Sequence, residues 1–219
     1  FPPFPENASQ MDIAASMNAA KDVGGDFYDF FRIDEDHIGF VIADVSGKGV
    51  PAAIFMAVSR TLIRATGIRG VSPAECINYS NTLLEKESVN NMFVTVFYGI
   101  YNIKTGEVKY TNAGHNPPYV LKANGSLEKL PVSGNMAIGI FDDFEYTETT
   151  CQLAQGDTLL LYTDGVTEAI NPQEEEFTET RLEQTLKKVA GQTCQQVIDT
   201  IKADVKTFAN GAEQSDDIT

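Results

Sequence analysis

The sequence predicts an α+β fold in which two antiparallel sheets pack face to face, with a pair of helices on each outer side. Three observations carry this expectation. Strand-like runs dominate the first three-quarters of the 219 residues, and several are joined by turns so short that only antiparallel pairing fits. Four stretches carry apolar residues at helical spacing, so each needs a sheet or another helix to cover it. Strands and helices do not alternate in the βαβ order of a parallel sheet.

The elements follow in chain order. The 17 residues between Asp26 and Asp44 read as a strand, a turn and a returning strand, which would bring both acids to the same end of one sheet. The returning strand, "HIGFVIADV", is a nearly continuous apolar run that ends on Asp44, as a buried strand should. Pro51 suits the opening turn of a helix on which Ile54, Ala57, Val58, Thr61, Leu62 and Ala65 keep helical spacing. Ser72, ahead of Pro73, caps a second helix that reaches about residue 86. "MFVTVFYGIYNIKTGEVKYTNAG" is a hairpin turning at Lys104-Thr105-Gly106. "PPYVLKANGSLEKL" turns at Asn124-Gly125, the strongest short hairpin signal. "DTLLLYTDG" reads as another buried strand ending in an acid. A third helix spans about 178–189. A fourth, capped by Thr193, sets Val197, Ile198, Ile201, Val205 and Phe208 on one face.

Length suggests one domain, or two small ones, with a core large enough to need no staples. Sixteen basic against 31 acidic residues give a net charge of −15, which argues against nucleic acid or an anionic membrane as partner. It suits a protein that gathers cations or basic segments, and equally one that is merely well solvated. Cys76, Cys151 and Cys194 form no CxxC pattern and read as reduced thiols of a cytosolic protein. Two histidines cannot make a three-histidine zinc site. No signal peptide or membrane-length apolar run is present. Residues 1–11 read as a linker, and the closing "SDDIT" as the approach to a strand. A piece of a longer polypeptide is therefore expected, with its last strand missing.

The chemistry lies in the acids. "GFVIADVSGKG" and "DTLLLYTDGVTEA" share one pattern: an apolar strand, an aspartate, then small residues. Asp44 and Asp164 thus stand where a strand stops and the chain bends. Asp26 follows the glycines of "DVGGD", and Asp216 and Asp217 precede β-branched residues in "SDDIT". Carboxylates brought together repel one another unless a cation lies between them. Oxygen ligands without histidine or thiolate select Mg²⁺, Mn²⁺ or Ca²⁺ over zinc. Taken singly, each aspartate is as well explained by turn chemistry. Four such acidic corners in one chain are what a shared cation site requires, provided that they meet in the fold.

Other patterns carry less. "GKGVPA" after a strand fits a dinucleotide loop, but the acid expected about 20 residues later is missing. A P-loop is excluded, because Ile42 replaces its first glycine and Gly49 follows Lys48 where Ser or Thr belongs. Ser46 lacks the surroundings of a nucleophile elbow. His115 in "NAGHNPP" suits a loop-holding hydrogen bonder better than a general acid. His37, after "DED", reads as solvated.

Taken together, "VGGDFYDFF", "ADVSGKGVPAA", "TNAGHNPPYVL", "LYTDGVTEA" and "SDDIT" resemble, in order and spacing, the SpoIIE/RsbU branch of the PPM (PP2C-type) protein phosphatases. The resemblance covers residues 12–219. It implies a PP2C-like αββα sandwich and a site for two Mn²⁺ or Mg²⁺ ions. It also implies hydrolysis of phosphoserine or phosphothreonine on a protein by metal-activated hydroxide. Catalysis would then rest on Asp26, Asp44 and Asp164. Asp44 would bridge the ions, the Val45 carbonyl would bind one of them, and Asp164 and Asp216 would complete the ligand set of the second ion. Asp26 would act directly or through water, with Asp217 farther out.

Two departures stand out. Ser46 occupies the place of a histidine general acid found in eukaryotic relatives. Their phosphate-binding arginine has no match, since the opening segment offers only Lys21 and Arg32. On this branch the substrate is typically a small phosphorylated STAS-domain protein, and an upstream sensor domain or regulator controls activity. The resemblance also implies that the helices over residues 51–86 serve as a regulatory switch. The resemblance leaves a homodimer open, and implies a cytoplasmic domain whose parent chain could be tethered to a membrane. The rival reading is a phosphatase-like module that binds a partner without turnover.

Overall fold

The computed structural model describes residues 11–87 and 91–219. The linker expected over 1–11 therefore lies, except for Met11, outside the described residues. One sheet contains β1 (Phe27–Arg32), β2 (His37–Val45), β3 (Val94–Asn102), β4 (Glu107–Ala113) and β7 (Thr149–Gln152), in the order β1-β2-β3-β4-β7. The other holds β5 (Tyr119–Leu121), β6 (Leu127–Lys129) and β8 (Thr158–Leu160), in the order β6-β5-β8. All their pairings are antiparallel.

The period of two along each strand sorts side chains into layers. Val41, Ala43 and Val45 of β2 join Val94, Val96 and Tyr98 of β3 in one core. Phe55 and Ile63 of α1 (Val50–Gly67) and Ile77 and Leu84 of α2 (Pro73–Glu87) close over that core. The alternate residues Ile42 and Phe97 face the opposite way. There they meet Val108, Tyr110, Val120 and Leu130 between the sheets. Beyond the second sheet, Tyr119, Leu121 and Tyr162 pack against Leu182 and Leu186 of α4 (Thr178–Lys188). Val197, Ile201 and Val205 of α5 (Cys194–Ala209) complete that core. The layers are helix pair, sheet, sheet, helix pair, as the sequence predicts. Each large side chain so buried contributes about 1.5–3 kcal/mol.

The turns and caps also follow the sequence. Gly106 (φ 76°) and Gly125 (φ 85°) supply the left-handed positions of the two hairpins. The Ser72 hydroxyl accepts from the Glu75 N–H at 3.3 Å. Thr193 and Gln196 form a reciprocal capping box at α5.

Two local readings need correction. The face of α1 expected to cover the sheet is largely turned outward. Ile54 is 62% exposed and Val58 37%, whereas Phe55 is only 6% exposed. The helix has apolar residues on two sides, and the sheet takes the side of Ala52, Phe55, Ser59 and Ile63. A buried acid on β1 fixes that choice: Asp29 pairs with Arg60 at 3.1 Å and with Arg64 at 2.8 Å. Second, "DTLLLYTDG" is not a fully buried strand reaching its acid. Its ladder ends at Leu160 with all three strand residues half-buried. The Thr163 N–H turns instead to the Thr219 carbonyl, and Asp164 opens the short helix α3 (Asp164–Thr167). One strand, β7, has no strong apolar run to announce it in the sequence; it is held as the partner of β4.

Candidate metal centre

The site forms where one end of the two sheets meets the C-terminal segment. The register that pairs Phe27 with Ala43 continues to set Asp26, just before β1, beside Asp44 on β2. By alternation Asp44 shares the inter-sheet side of its strand with Phe40 and Ile42. The Asp26 and Asp44 carboxyl groups share a hydrogen bond. Asp26 Oδ2 also accepts from the Thr163 hydroxyl at 2.8 Å and the Thr219 hydroxyl at 2.7 Å.

The acids act on one another. Burial raises the pKa of Asp44, and the charges of Asp26, Asp164 and Asp216 raise it further. Burial also raises Asp26, against the opposing hydrogen bonds of Thr219 and Thr163. Asp164 is raised by burial and by Asp216. Two carboxyls at hydrogen-bonding distance in such a place need either a proton or a cation between them.

Asp216 already has a cation. Its Oδ2 lies 2.9 Å from Lys48 Nζ, while Oδ1 accepts from the Asp217 N–H at 2.9 Å. Asp217 has a different task. Its carboxylate accepts from the backbone N–H of Ala20 (2.8 Å), Gly25 (2.7 Å) and Asp26 (3.3 Å), and so fixes the turn that delivers Asp26. This turn explains its glycines. A Cβ on Gly24 would strike the Asp217 carboxylate, and one on Gly25 would come within 3.0 Å of the Val45 carbonyl oxygen.

A narrow cleft lined by Lys21, Gly25, Asp44, Lys48, Asp216 and Asp217 opens onto these groups. The donors are oxygens alone, which suits a hard divalent ion. The raised carboxyl groups of Asp26 and Asp44 fit such an ion as well. Among the described residues, no three acid, histidine or cysteine side chains stand close enough to hold a metal ion as they are. Uncompensated carboxylates repel one another, and Lys48 engages one of the four.

Other expected participants bond to groups outside these four metal-site acids. Ser46 and Phe93 bind each other: the Ser46 hydroxyl accepts from the Phe93 N–H at 2.9 Å. His115 is only 4% exposed, and its Nδ1 lies 2.9 Å from the Thr95 hydroxyl. Its backbone is held by the Asn112 amide. Burial pushes its pKa down to about 4, so it is neutral at pH 7 and holds the loop. Arg32 ends β1 at the edge far from Asp26 and donates to the Asp34 carbonyl. His37 is partly exposed and bonded to Asp34. Thr163, Thr219 and Lys48 are site residues that the sequence does not single out, although each lies within four residues of an acid in a quoted motif.

A family model, Stage II sporulation protein E (SpoIIE), matches residues 34–219. The chain is 34% identical over 238 residues to Protein IcfG of Synechocystis sp., covering 96% of this chain and 37% of that protein. It is 34% identical over 159 residues to phosphoserine phosphatase RsbU of Bacillus subtilis, covering 72% and 47% respectively. The chain thus spans less than half the length of these two relatives. A solved structure of the PP2C phosphatase domain of Bacillus subtilis SpoIIE, with a fragment of its regulatory domain, superposes with a TM-score of 0.80. That likeness extends over 93% of this chain and 59% of the solved one, at 21% identity.

Proposed function

The chain belongs to the SpoIIE family, and from that premise we propose that it is a metal-dependent protein phosphatase acting on phosphoserine or phosphothreonine. The observation that carries the proposal is the Asp26–Asp44 pair, Asp26 buried and Asp44 half-buried, electrostatically joined to Asp164 and Asp216 at one end of the sandwich. Asp44 would bridge two Mn²⁺ or Mg²⁺ ions, with the Val45 carbonyl on one and Asp164 and Asp216 on the other. Asp26 would bind directly or through water. Such ions lower the pKa of a water and neutralise charge on the transferring phosphoryl group.

The remaining residues arrange these acids. Thr163 and Thr219 fix one oxygen of Asp26. Asp217 locks the turn before it, and Gly24 and Gly25 leave room for that lock and for the Val45 carbonyl. His115 donates no proton at neutral pH. RsbU, a relative at 34% identity, is named a phosphoserine phosphatase. That supports a protein substrate, and we assign a phosphorylated STAS-domain protein. Control falls to an upstream domain or regulator acting through α1 and α2, in a monomer or a homodimer, in the cytoplasm. Among the described residues, no helix is long and apolar enough to cross a membrane.

The test is phosphate release from a serine-phosphorylated STAS-domain protein in Mn²⁺. Asp164→Asn should lower turnover at least 100-fold, on the order of the loss of a major electrostatic group. Wild-type turnover by this variant at saturating Mn²⁺ would overturn the site assignment. Partner binding without turnover by the wild type would favour the non-catalytic module instead.

A further inference from the structure

We propose that Lys48 is a resident counter-ion of Asp216 that a divalent cation must displace, so that this lysine sets the metal affinity of the site. The inference rests on the reading that Asp216 is a metal ligand. Lys48 stands on the turn that leaves β2 after Asp44, between Gly47 (φ 88°) and Gly49 (φ 81°). Those backbone values suit glycine, and they carry the lysine toward the C-terminal segment. There its ammonium donates to the Ser215 carbonyl at 2.7 Å and lies 2.9 Å from Asp216 Oδ2. Asp164 and Asp217 also act on its charge.

Both oxygens of Asp216 are thus engaged, one by the Asp217 N–H and one by Lys48. A Mg²⁺ ion would sit at about 2.0–2.1 Å from a carboxylate oxygen. An ammonium on the same oxygen would then face the ion at short range, and the two positive charges would repel. Lysine suits this exchange, being a hydrated point charge on a flexible stem that can return to water. With side-chain exposures of 45% for Lys48 and 33% for Asp216, the pair is partly solvated. An ion pair of this kind shifts an equilibrium only a few-fold, enough to tune metal binding without blocking it.

The experiment measures Mn²⁺ binding directly, by calorimetry or electron paramagnetic resonance, on the metal-stripped chain without substrate. Lys48→Met should tighten Mn²⁺ binding by about three- to fivefold, and Lys48→Gln should do the same. In an Asp216→Asn background the Lys48→Met effect should vanish, because the contested oxygen has lost its charge. Tightening that persists in that background would reflect general electrostatics and would overturn the proposal. Wild-type affinity in both lysine variants would overturn it too, leaving the metal-site reading intact. Absence of Mn²⁺ uptake by wild type and variants alike would overturn both.

Discussion

His115 and Asp217 show how much at the residue scale is decided by what surrounds a group. The His115 pKa falls from its ordinary 6.5 to about 4 through burial. Between those values an unfolded chain binds a proton that the folded chain does not, so folding weakens as pH falls through this window. The lost stability amounts to roughly 3 kcal/mol over the whole interval. Asp26 and Asp44 act in the opposite sense: raised carboxyl groups weaken the metal-free fold as pH rises above their ordinary range. The histidine's part is therefore isolated by difference. Denaturant unfolding of wild type and His115→Asn from pH 4 to 7 should give a shallower loss on acidification in the variant. Asp217→Ala should cost roughly 3 kcal/mol by the same measurement, because three backbone N–H groups lose a charged acceptor. The sequence placed Asp44 beside Asp26 because both flank strands of one hairpin. Only the resemblance separates Asp216 from Asp217; the residues alone do not, because the roles of these neighbours depend on whether a lysine or three amides reach them.

At the scale of elements, periodicity located all four long helices, while the orientation of α1 was hidden. Its apolar residues occupy two sides, and counting them cannot say which side the sheet takes. The deciding group is Asp29, a charge buried in β1 that draws Arg60 and Arg64 to that side of the helix. The two sides should respond differently to substitution. Phe55→Ala, in the core, should cost about 3–5 kcal/mol of unfolding free energy. Ile54→Ser, on the outward side, should change the stability of this chain by less than about 0.5 kcal/mol. Equal losses would put α1 in the wrong rotation. That β8 stops at Leu160 and α3 opens at Asp164 was illegible for a related reason. The N–H of Thr163 is committed to Thr219, 56 residues away, and no local pattern announces that bond.

At the scale of the whole molecule, the site is a seam. The first sheet supplies Asp26 and Asp44, the chain leaving the second sheet supplies Asp164, and the C-terminal segment supplies Asp216. The bridge between Asn18 and Ile218 holds that last segment in place. Four acidic corners were legible in the sequence; their convergence was not, because it exists only once both sheets and the C-terminal segment have docked. Metal should therefore report on the global fold. Mn²⁺ at about 100 times its Kd should raise unfolding free energy by about 2.7 kcal/mol. At a fixed Mn²⁺ concentration the gain should grow between pH 5 and 8, since binding must expel the proton favoured by the raised carboxyl groups of Asp26 and Asp44. The central claim, that these acids form one metal site, is tested most directly by anomalous diffraction from crystals soaked in Mn²⁺. The account predicts strong density between Asp44 and Asp164, within ligand distance of both. A well-diffracting soaked crystal with no density there, or with manganese bound only elsewhere, would contradict it.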